Sequence, residues 1–525
     1  MHYHPPQRYQ APPINALPVE LLSYIFVLGT HEPINSDPNA DDDCQPFNTD
    51  SVKAPLVYAS VSRHWRSVAL NTPALYTSLC ITPELLREVG KTEILDTSGI
   101  STYLKRSRNL FVDILVDARD QQWDFEDDGA WFSAEHMTTA MGVLLPHIQR
   151  WRSLSILTDV LAPMQAALGP LEAHLRSYGA PHLESLRLMR CDAYAAHAPL
   201  ADIGNSFLSS VTNGECLLPR LQRLTLRGVP AAWTALATTL SPALKSLELA
   251  FLPLAGQPTI LELVSLLRTV PHLSRFVLNG SGPAIPDPAA PSSSPPSFEY
   301  ICLPSLNSLT LGYTSSAAAV ALFELLSAPS LHQLILEDAT HPADTIPVDA
   351  LPLLNRLFPS DADPAFPNLA DLALRRTHLS GAPPSAHLSR LELLGTNALA
   401  LALRATDVLC IRGPLATSSL SAAPTEALAQ TGSALRALVE ECGDKAPRVI
   451  CLHESSYATH VGEPDEVFLL GGGTTCVRVF RRAEEEEGDE DETVMGSEIE
   501  YEEEAFKVGG VFNDPVFDAR YGYVG

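Results

Sequence analysis

The sequence has few basic residues and no long apolar run. Lysine and arginine number 35 against 62 aspartates and glutamates, which gives a formal net charge of −27. Nucleic acid and anionic membrane surfaces are therefore excluded as expected partners, because both repel an acidic protein. No run of about 18 apolar residues occurs, and the N-terminus carries no apolar signal segment. We expect a soluble protein of the cytoplasm, the nucleus or both.

Close cysteine pairs and catalytic motifs are also missing. The nine cysteines show neither a disulfide framework nor a zinc spacing, and dispersed thiols fit a reducing compartment. The glycines at 471–473 lack the Lys-Ser/Thr of a phosphate loop, and neither Gly-x-Ser-x-Gly nor His-Glu-x-x-His occurs. We predict no catalytic residue, no metal ligand and no cofactor, so the chain is not expected to be an enzyme.

The 525 residues exceed what one core usually supports, and 46% of them are apolar. Two or more domains or an elongated repeat array are therefore expected. Glu484 to Glu504 contains thirteen acidic residues and neither lysine nor arginine. Such a segment is predicted to be disordered, and consecutive acids on a mobile segment cannot hold a catalytic geometry.

An internal repeat, Pro-x-Leu-x-x-Leu-x-Leu, dominates the middle of the chain. Seven exact or near-exact copies begin at Pro181, Pro219, Pro242, Pro271, Pro304, Pro329 and Pro367. A copy without proline begins at Ala386, Trp151 begins an opening copy, and 406–411 is a last, weak strand. The two leucines of Leu-x-Leu point to one side of a strand. A single unit cannot bury them, but stacked copies form a continuous core.

The repeat resembles the strand segment of leucine-rich repeats. Helix-like segments between the strands, such as 260–268 and 317–326, are predicted to cover one side of the sheet. The polar positions that alternate with the leucines are the candidate target-binding residues. They are Arg187, Arg223, Thr225, Arg227, Glu248, Arg275, Asn279, Gln333, Glu337, Asp371, Arg375, Arg390 and Glu392. Arginine is prominent early in this set, which favours an acidic or phosphorylated ligand, although alternate polar positions on any exposed strand look similar.

The N-terminal region contains the most specific pattern. Pro18 suits a first helical position, and the apolar spacing that follows predicts a helix ending near Gly29. A second stretch, 55–70, predicts Val57, Val61, Trp65, Val68 and Ala69 on one helical face. Trp65 is equally compatible with a core position and with a contact residue. Three short helices in about 65 residues give little core, so such a unit usually needs a partner or an attached domain.

These residues resemble the F-box of fungal F-box proteins. The resemblance lies in Leu17-Pro18-x-Glu20-Leu21-Leu22-x-x-Ile25-Phe26, Val61-Ser62-Arg63-x-Trp65-Arg66 and Pro73-x-Leu75-Tyr76, and the segments 103–107 and 144–154 look like the usual continuation. The chain departs from the pattern at Ser62 and Tyr76, where Cys and Trp are expected, and in a long acidic insertion. The resemblance implies binding to the S-phase-kinase-associated adaptor. The implied contacts are Leu17, Pro18, Leu21, Leu22, Ile25 and Phe26, supported by Val61, Trp65 and Leu75.

The predicted fold class is α/β, with a short all-α F-box followed by an irregular leucine-rich-repeat solenoid of one strand and one helix per repeat. The expected divisions are a tail (1–13), the F-box (14–82, insertion 30–54), a connecting region (83–149), the solenoid (150–412), a cap (413–480), an acidic segment (481–505) and a C-terminal tail (506–525).

The implied function is substrate recognition in a cullin-RING ubiquitin ligase, with a cullin as indirect partner and a target protein bound by the repeats. The alternative is a non-catalytic repeat scaffold in which the F-box-like segment is only a structural cap. A further possibility is that the acidic segment covers basic positions on the repeats.

Overall fold

The computed structural model describes residues 14, 17–31, 49–90, 92–119, 132–191, 206–208, 216–284, 300–340, 348–359, 364–381, 388–394, 406–412, 448–453, 466–470 and 475–480. Within these residues the chain is mixed α/β, with ten α-helices and a largely parallel sheet, which confirms the predicted class. The chain divides into two compact units. The first contains the described residues up to Cys191 and Leu217–Leu221; the second contains 206–208, 216 and those from Gln222 onward. The boundary thus falls inside the stretch 150–412.

The first unit combines six helices with six strands. The helices are α1 (Val19–Thr30), α2 (Thr49–Val61), α3 (Arg63–Leu70), α4 (Ser98–Arg106), α5 (Ala134–Leu144) and α6 (Leu161–Tyr178). The strands are β1 (Ser78–Ile81), β2 (Leu86–Val89), β3 (Thr92–Leu95), β4 (Val112–Asp117), β5 (Trp151–Thr158) and β6 (Ser185–Arg190). Strands β1, β4, β5 and β6 pair in that order, all parallel, and β2 and β3 form a separate antiparallel pair.

The stretch 83–149, expected as a connecting region, contains β4, α5 and the 3-10 segment Leu145–Arg150. Pro18 precedes α1 as its N-cap rather than occupying its first turn, and it makes no side-chain cap. Pro83 begins a three-residue 3-10 turn, Pro83–Leu85.

The prediction of one helical face across 55–70 is wrong. The chain breaks at Ser62, which has extended dihedrals (φ −159°, ψ 165°) and whose hydroxyl accepts a hydrogen bond from the Trp65 amide at 3.1 Å. This N-cap ends α2 and starts α3, because the hydroxyl satisfies an amide that has no partner within the helix. As a result Val57 and Val61 are exposed while Val68 is buried.

The acidic insertion is also shorter than predicted. Residues 49–54, expected to be loop, belong to α2, and Thr30 belongs to α1. Residues 32–48, which carry most of the acidic side chains, lie outside the described residues, as do the predicted tails and the acidic segment.

Two tyrosines connect the helices of the first unit. The Tyr103 hydroxyl on α4 donates a hydrogen bond of 2.6 Å to the Val52 carbonyl on α2, and its ring meets the Tyr76 ring edge-on at 5.0 Å. The Arg106 guanidinium lies over the Tyr76 ring, 5.2 Å from its centroid. Tyr76 stands where the resemblance implies tryptophan. It is the last residue of the 3-10 segment Pro73–Tyr76, and its ring packs against α4.

The second unit has thirteen strands and four helices within its described residues. Its strands are β7 (Arg223–Arg227), β8 (Ser246–Ala250), β9 (Arg275–Asn279), β10 (Ile301–Cys302), β11 (Ser308–Tyr313), β12 (Leu326–Ser327), β13 (Gln333–Asp338), β14 (Asp371–Arg375), β15 (Leu388–Leu394), β16 (Thr406–Arg412), β17 (Val449–His453), β18 (Glu466–Leu470) and β19 (Thr475–Phe480). Its helices are α7 (Trp233–Thr239), α8 (Ile260–Thr269), α9 (Ser316–Leu325) and α10 (Leu351–Leu357).

The main sheet of this unit runs β7-β8-β9-β11-β13-β14-β15-β16-β17-β19-β18, while β10 and β12 form a small separate pair. All neighbours in the main sheet are parallel except β18 and β19, which are antiparallel. The strand predicted over 406–411 is confirmed as β16. Beyond it, β17 and β19 continue the parallel ladder.

The sequence repeat corresponds to a turn followed by a strand. In each proline-containing copy the amide of the first leucine donates to the carbonyl of the residue before the proline, for example Leu306 to Leu303 and Leu331 to Ala328, both at 3.2 Å. Proline favours the second position of such a turn, because its ring presets the required φ. The turn buries its own leucine and aligns the start of each strand with its neighbour.

Two rows of apolar side chains run through the sheet in register and are buried. One row contains Leu224, Leu247, Phe276, Leu309, Leu334, Leu372, Leu391, Leu409, Ile450 and Val477. The connecting helices bury apolar residues of their own, such as Leu263 on α8 and Leu322 on α9. The prediction that the Leu-x-Leu pairs share one side is confirmed. No helix of the described residues is long and apolar enough to cross a bilayer.

We predict that Leu309→Ala destabilises the second unit by about 2–5 kcal/mol, because Leu309 is fully buried and the truncated side chain leaves a cavity. Thr310→Ala is the matched control, since Thr310 is the next residue on β11 and points to the half-exposed side. It should change stability by less than about 0.5 kcal/mol. Urea unfolding measures both, and equal losses would contradict the assigned faces.

We also predict a pH effect from Tyr103. Burial raises the pKa of its phenol from 10.0 to about 12, and Tyr76 adds to the rise. Because the folded state holds this proton more tightly, the unfolded chain ionises first, and stability falls between pH 10.0 and about 12.

The measurement is urea unfolding at several pH values across this interval. Tyr103→Phe should remove part of the alkaline loss, whereas Tyr300→Phe, on an exposed ring in the other unit, should retain it. An unchanged slope in Tyr103→Phe would refute the effect.

Candidate protein-binding surfaces

The inner face of α1 packs into an aromatic cluster. Phe26 stacks on Tyr58 of α2 with ring centroids 4.4 Å apart, and Trp65 of α3 lies 4.9 Å from Phe26. Leu22 on the same face is buried. These contacts hold the three short helices together, because aromatic pairs contribute about 0.5–1.5 kcal/mol beyond their burial.

The outer face of α1 carries a second apolar stripe that no described residue covers. Leu21, Ile25 and Leu28 are spaced as one helical face and are 52%, 45% and 54% exposed. Further large apolar residues are exposed on and beside α1, α2 and α3. They are Val19, Tyr24, Leu56, Val57, Val61 and Leu70. Single exposed leucines are ordinary, but this number on adjacent short helices is typical of a binding surface.

The predicted adaptor-binding residues therefore differ in how exposed they are. Pro18, Leu21, Ile25 and Val61 are exposed, and Leu17 and Trp65 are half-buried. Leu22, Phe26 and Leu75 are buried within the unit, so they shape the surface and cannot be direct contacts. Trp65 belongs to the aromatic cluster, which agrees with the interpretation of Trp65 as a core residue.

Sequence reasoning missed Tyr24 and Leu56 as surface residues. For Tyr24 the available signal was the composition of α1, where Glu20 is the only charged residue and apolar side chains occur on every side. A helix that is apolar all round is expected to be covered on more than one face.

The second unit aligns the predicted target-binding residues in rows on the side of the main sheet opposite the leucines, here called the solvent face. The row at the strand starts contains Arg223, Ser246, Arg275, Ser308, Gln333, Asp371 and Arg390. The middle row contains Thr225, Glu248, Val277, Thr310, Ile335, Ala373 and Glu392. The row at the strand ends contains Arg227, Ala250, Asn279, Gly312, Glu337 and Arg375.

The thirteen predicted target-binding residues are not equally accessible. Arg187 lies on β6 of the first unit and is not part of these rows. Arg223, Gln333 and Arg390 are exposed, and most of the others are half-buried. Arg227, Asn279 and Glu337 are buried, so their expected role as open contact residues is wrong. All three stand at strand ends, where neighbouring side chains cover them.

Gly312 explains how Asn279 and Glu337 come together. A Cβ at Gly312 would lie 1.8 Å from the Asn279 Oδ1, so any other residue would block the space that this side chain occupies. The Asn279 amide can then reach the Glu337 Oε2 across the intervening strand, at 3.4 Å, and the Arg376 Nη2 donates to Oε1 at 2.9 Å. The buried carboxylate is thus compensated within the chain.

Ion pairs connect several of the predicted contact residues. Arg227 lies 3.5 Å from Glu248, and Glu392 lies 4.0 Å from Arg375 and 3.5 Å from Arg390. The guanidinium of Arg227 also lies over the Phe251 ring at 5.6 Å. These arginines already face carboxylates of the chain, which weakens the expectation of an acidic or phosphorylated ligand.

A shallow hollow of about 40 Å³ lies on the solvent face of β13, β14 and β15. It is lined by Gln333, Asp371, Leu372, Ala373, Arg390 and Glu392. This volume has room for ordered water rather than for a substrate molecule. Four of the residues that line the hollow belong to the predicted target-binding set: Gln333, Asp371, Arg390 and Glu392.

Among the described residues, no group of three or more His, Cys, Asp or Glu side chains is arranged to hold a metal ion. No family model and no curated protein matches this chain.

We predict that the two faces of α1 respond differently to truncation. Phe26→Ala should destabilise the first unit by about 3–5 kcal/mol, because it removes a buried ring from the aromatic cluster. Leu28→Ala, on the outer stripe of the same helix, should cost less than about 0.5 kcal/mol. Thermal unfolding followed by circular dichroism distinguishes them. A large loss in Leu28→Ala would show that the outer stripe is covered.

Proposed function

We propose that the chain is the substrate-recognition subunit of a cullin-RING ubiquitin ligase. In this proposal α1, α2 and α3 are an F-box that binds the S-phase-kinase-associated adaptor and, through it, a cullin. The parallel strands and their connecting helices are a leucine-rich-repeat solenoid whose solvent face binds the target protein. The protein works in the cytoplasm or the nucleus and needs neither a cofactor nor a catalytic residue of its own.

The observation that carries the proposal is the outer stripe of α1. Leu21, Ile25 and Leu28 stay exposed although α1 already has a complete inner face. Fully burying an exposed side chain of this kind contributes about 1.5–3 kcal/mol. Because these three are about half exposed, a covering partner gains part of that from each. Apolar anchors at helical spacing fit a groove between the helices of a second protein, which is the chemistry expected of a helical adaptor.

The proposed mechanism is tethering rather than chemistry. A target held on the solvent face stays near the ubiquitin-conjugating enzyme that the cullin brings, and this raises its effective concentration there. The solvent face offers half-exposed polar and apolar residues in register, including Thr310, Ile335 and Glu392. Rows of this kind suit an extended protein surface better than a small molecule.

The test is co-expression with the adaptor followed by a binding measurement. The variant Leu21→Asp/Ile25→Asp places two charges on the outer stripe without touching the aromatic cluster. Loss of central apolar anchors costs about 2 kcal/mol or more each, so binding should weaken at least about a hundredfold. Leu17→Ala/Pro18→Ala, at the start of α1, should weaken it less, because Leu17 is half-buried and only part of its side chain is available.

The matched control is Leu261→Asp. Leu261 is an equally exposed leucine on α8 of the second unit, so adaptor binding should remain unchanged. Undiminished binding by Leu21→Asp/Ile25→Asp would contradict the proposal. If the wild-type chain retains no adaptor and Leu21→Asp lowers its thermal stability, the non-catalytic scaffold with a helical cap is the better description.

A further inference from the structure

The second unit brings together two cysteines that are distant in the sequence. Cys410 on β16 and Cys451 on β17 are direct partners in the parallel ladder. Both continue the middle row of the solvent face, so their side chains point to the same side of the sheet. Cys410 is 5% exposed and Cys451 is half-buried.

The spacing of the two strands suits a bond between the two sulfurs. Neighbouring strands lie about 4.8 Å apart, and the Cα atoms of disulfide-linked cysteines are usually about 4.4–6.8 Å apart. Cys476 on β19 also points to the solvent face, but it stands opposite Val449 rather than Cys451. Direct register therefore favours Cys410 as the partner of Cys451.

The surrounding charges distinguish the two thiols. The hydrogen bond from the Cys451 thiol lowers the pKa of Cys410, and Arg390 of β15 lowers it further, against the opposing effects of burial and of Glu392. The same hydrogen bond, together with burial, raises the pKa of Cys451. Arg478 stands opposite Cys451 on β19. Cys410, with Arg390 beside it, is thus the thiol of the pair that loses its proton more readily.

We propose that Cys410 and Cys451 form a peroxide-reactive dithiol site, in which Cys410 is the attacking sulfur and Cys451 the resolving one. The Cys410 thiolate attacks one oxygen of a hydroperoxide; the O–O bond breaks, an S–O bond forms, and the leaving oxygen takes a proton to become water or an alcohol. The Cys451 sulfur then attacks the Cys410 sulfenic acid. An S–S bond forms, the S–O bond breaks, and water leaves with the Cys451 proton. Two thiols are oxidised by two electrons, and one peroxide is reduced.

The site lies next to the hollow on the solvent face. Glu392, which lines the hollow, is the direct neighbour of Cys410 in the ladder, and Arg390 contacts both side chains. Oxidation removes the thiolate from Arg390 and leaves Glu392 as its ion-pair partner. The proposal does not depend on the F-box assignment, because it concerns thiol chemistry within the second unit.

The test uses the full chain, reduced and then exposed to hydrogen peroxide, with free thiols alkylated before peptide mass spectrometry. The expected product is a Cys410–Cys451 linkage that also forms in Cys476→Ser. In Cys451→Ser the linkage should disappear and a dimedone-trapped sulfenic acid should accumulate on Cys410. In Cys410→Ser neither should form.

Two further comparisons separate this site from general thiol oxidation. Arg390→Gln should slow formation of the linkage by about threefold or more, because it removes a cation beside the thiolate. The control Arg375→Gln removes the other arginine that pairs with Glu392 and should leave the rate within about twofold. Linkage of Cys451 to Cys476, or oxidation of the exposed Cys302 while Cys410 stays reduced, would overturn the proposal. So would an unchanged rate in Arg390→Gln.

Discussion

The register of the parallel strands is the constraint on which the second unit depends. Each strand places two apolar side chains on the buried side, as Leu309 and Leu311 do on β11, and its neighbour on β13 repeats them with Leu334 and Leu336 in direct register. A slip of one residue would exchange the two sides of a strand and move its leucines into water. Because several leucines fix each strand at once, the register persists through connections of very different length.

This constraint determines what the solvent face can contain. The residues that alternate with the leucines along each strand do not pack among them. Their side chains can therefore differ as much as those of Thr310, Ile335 and Glu392. Their neighbours are nevertheless fixed by the ladder, which brings Glu392 within ion-pair distance of Arg375 and Arg390. A ligand with one strong negative charge would have to displace these internal carboxylates. In the proposed function, a broad protein surface that matches charges of both signs would therefore suit this face better.

The repeat made much of the second unit predictable, because Pro-x-Leu forms the turn and Leu-x-Leu gives the two-residue period of the strand that follows. The N-terminal helices were less predictable. Periodicity identified α1 but did not decide which of Leu21 and Leu22 faces inward, since both are leucines. Nor did it show that Ser62 would divide 55–70, because a local hydrogen bond to Trp65 overrode the apolar spacing. The pairing of Cys410 with Cys451 follows from strand order, which the spacing of cysteines does not reveal.

The two faces of α1 separate folding from binding. The inner face, through Phe26 and its contacts with Tyr58 and Trp65, holds the short helices together. The outer stripe contributes little to that stability, since its side chains are about half exposed. A surface that remains apolar while its helix is held by other contacts is free to associate and dissociate without unfolding. In the proposed function, this property would let the chain bind and release the adaptor while the first unit stays folded.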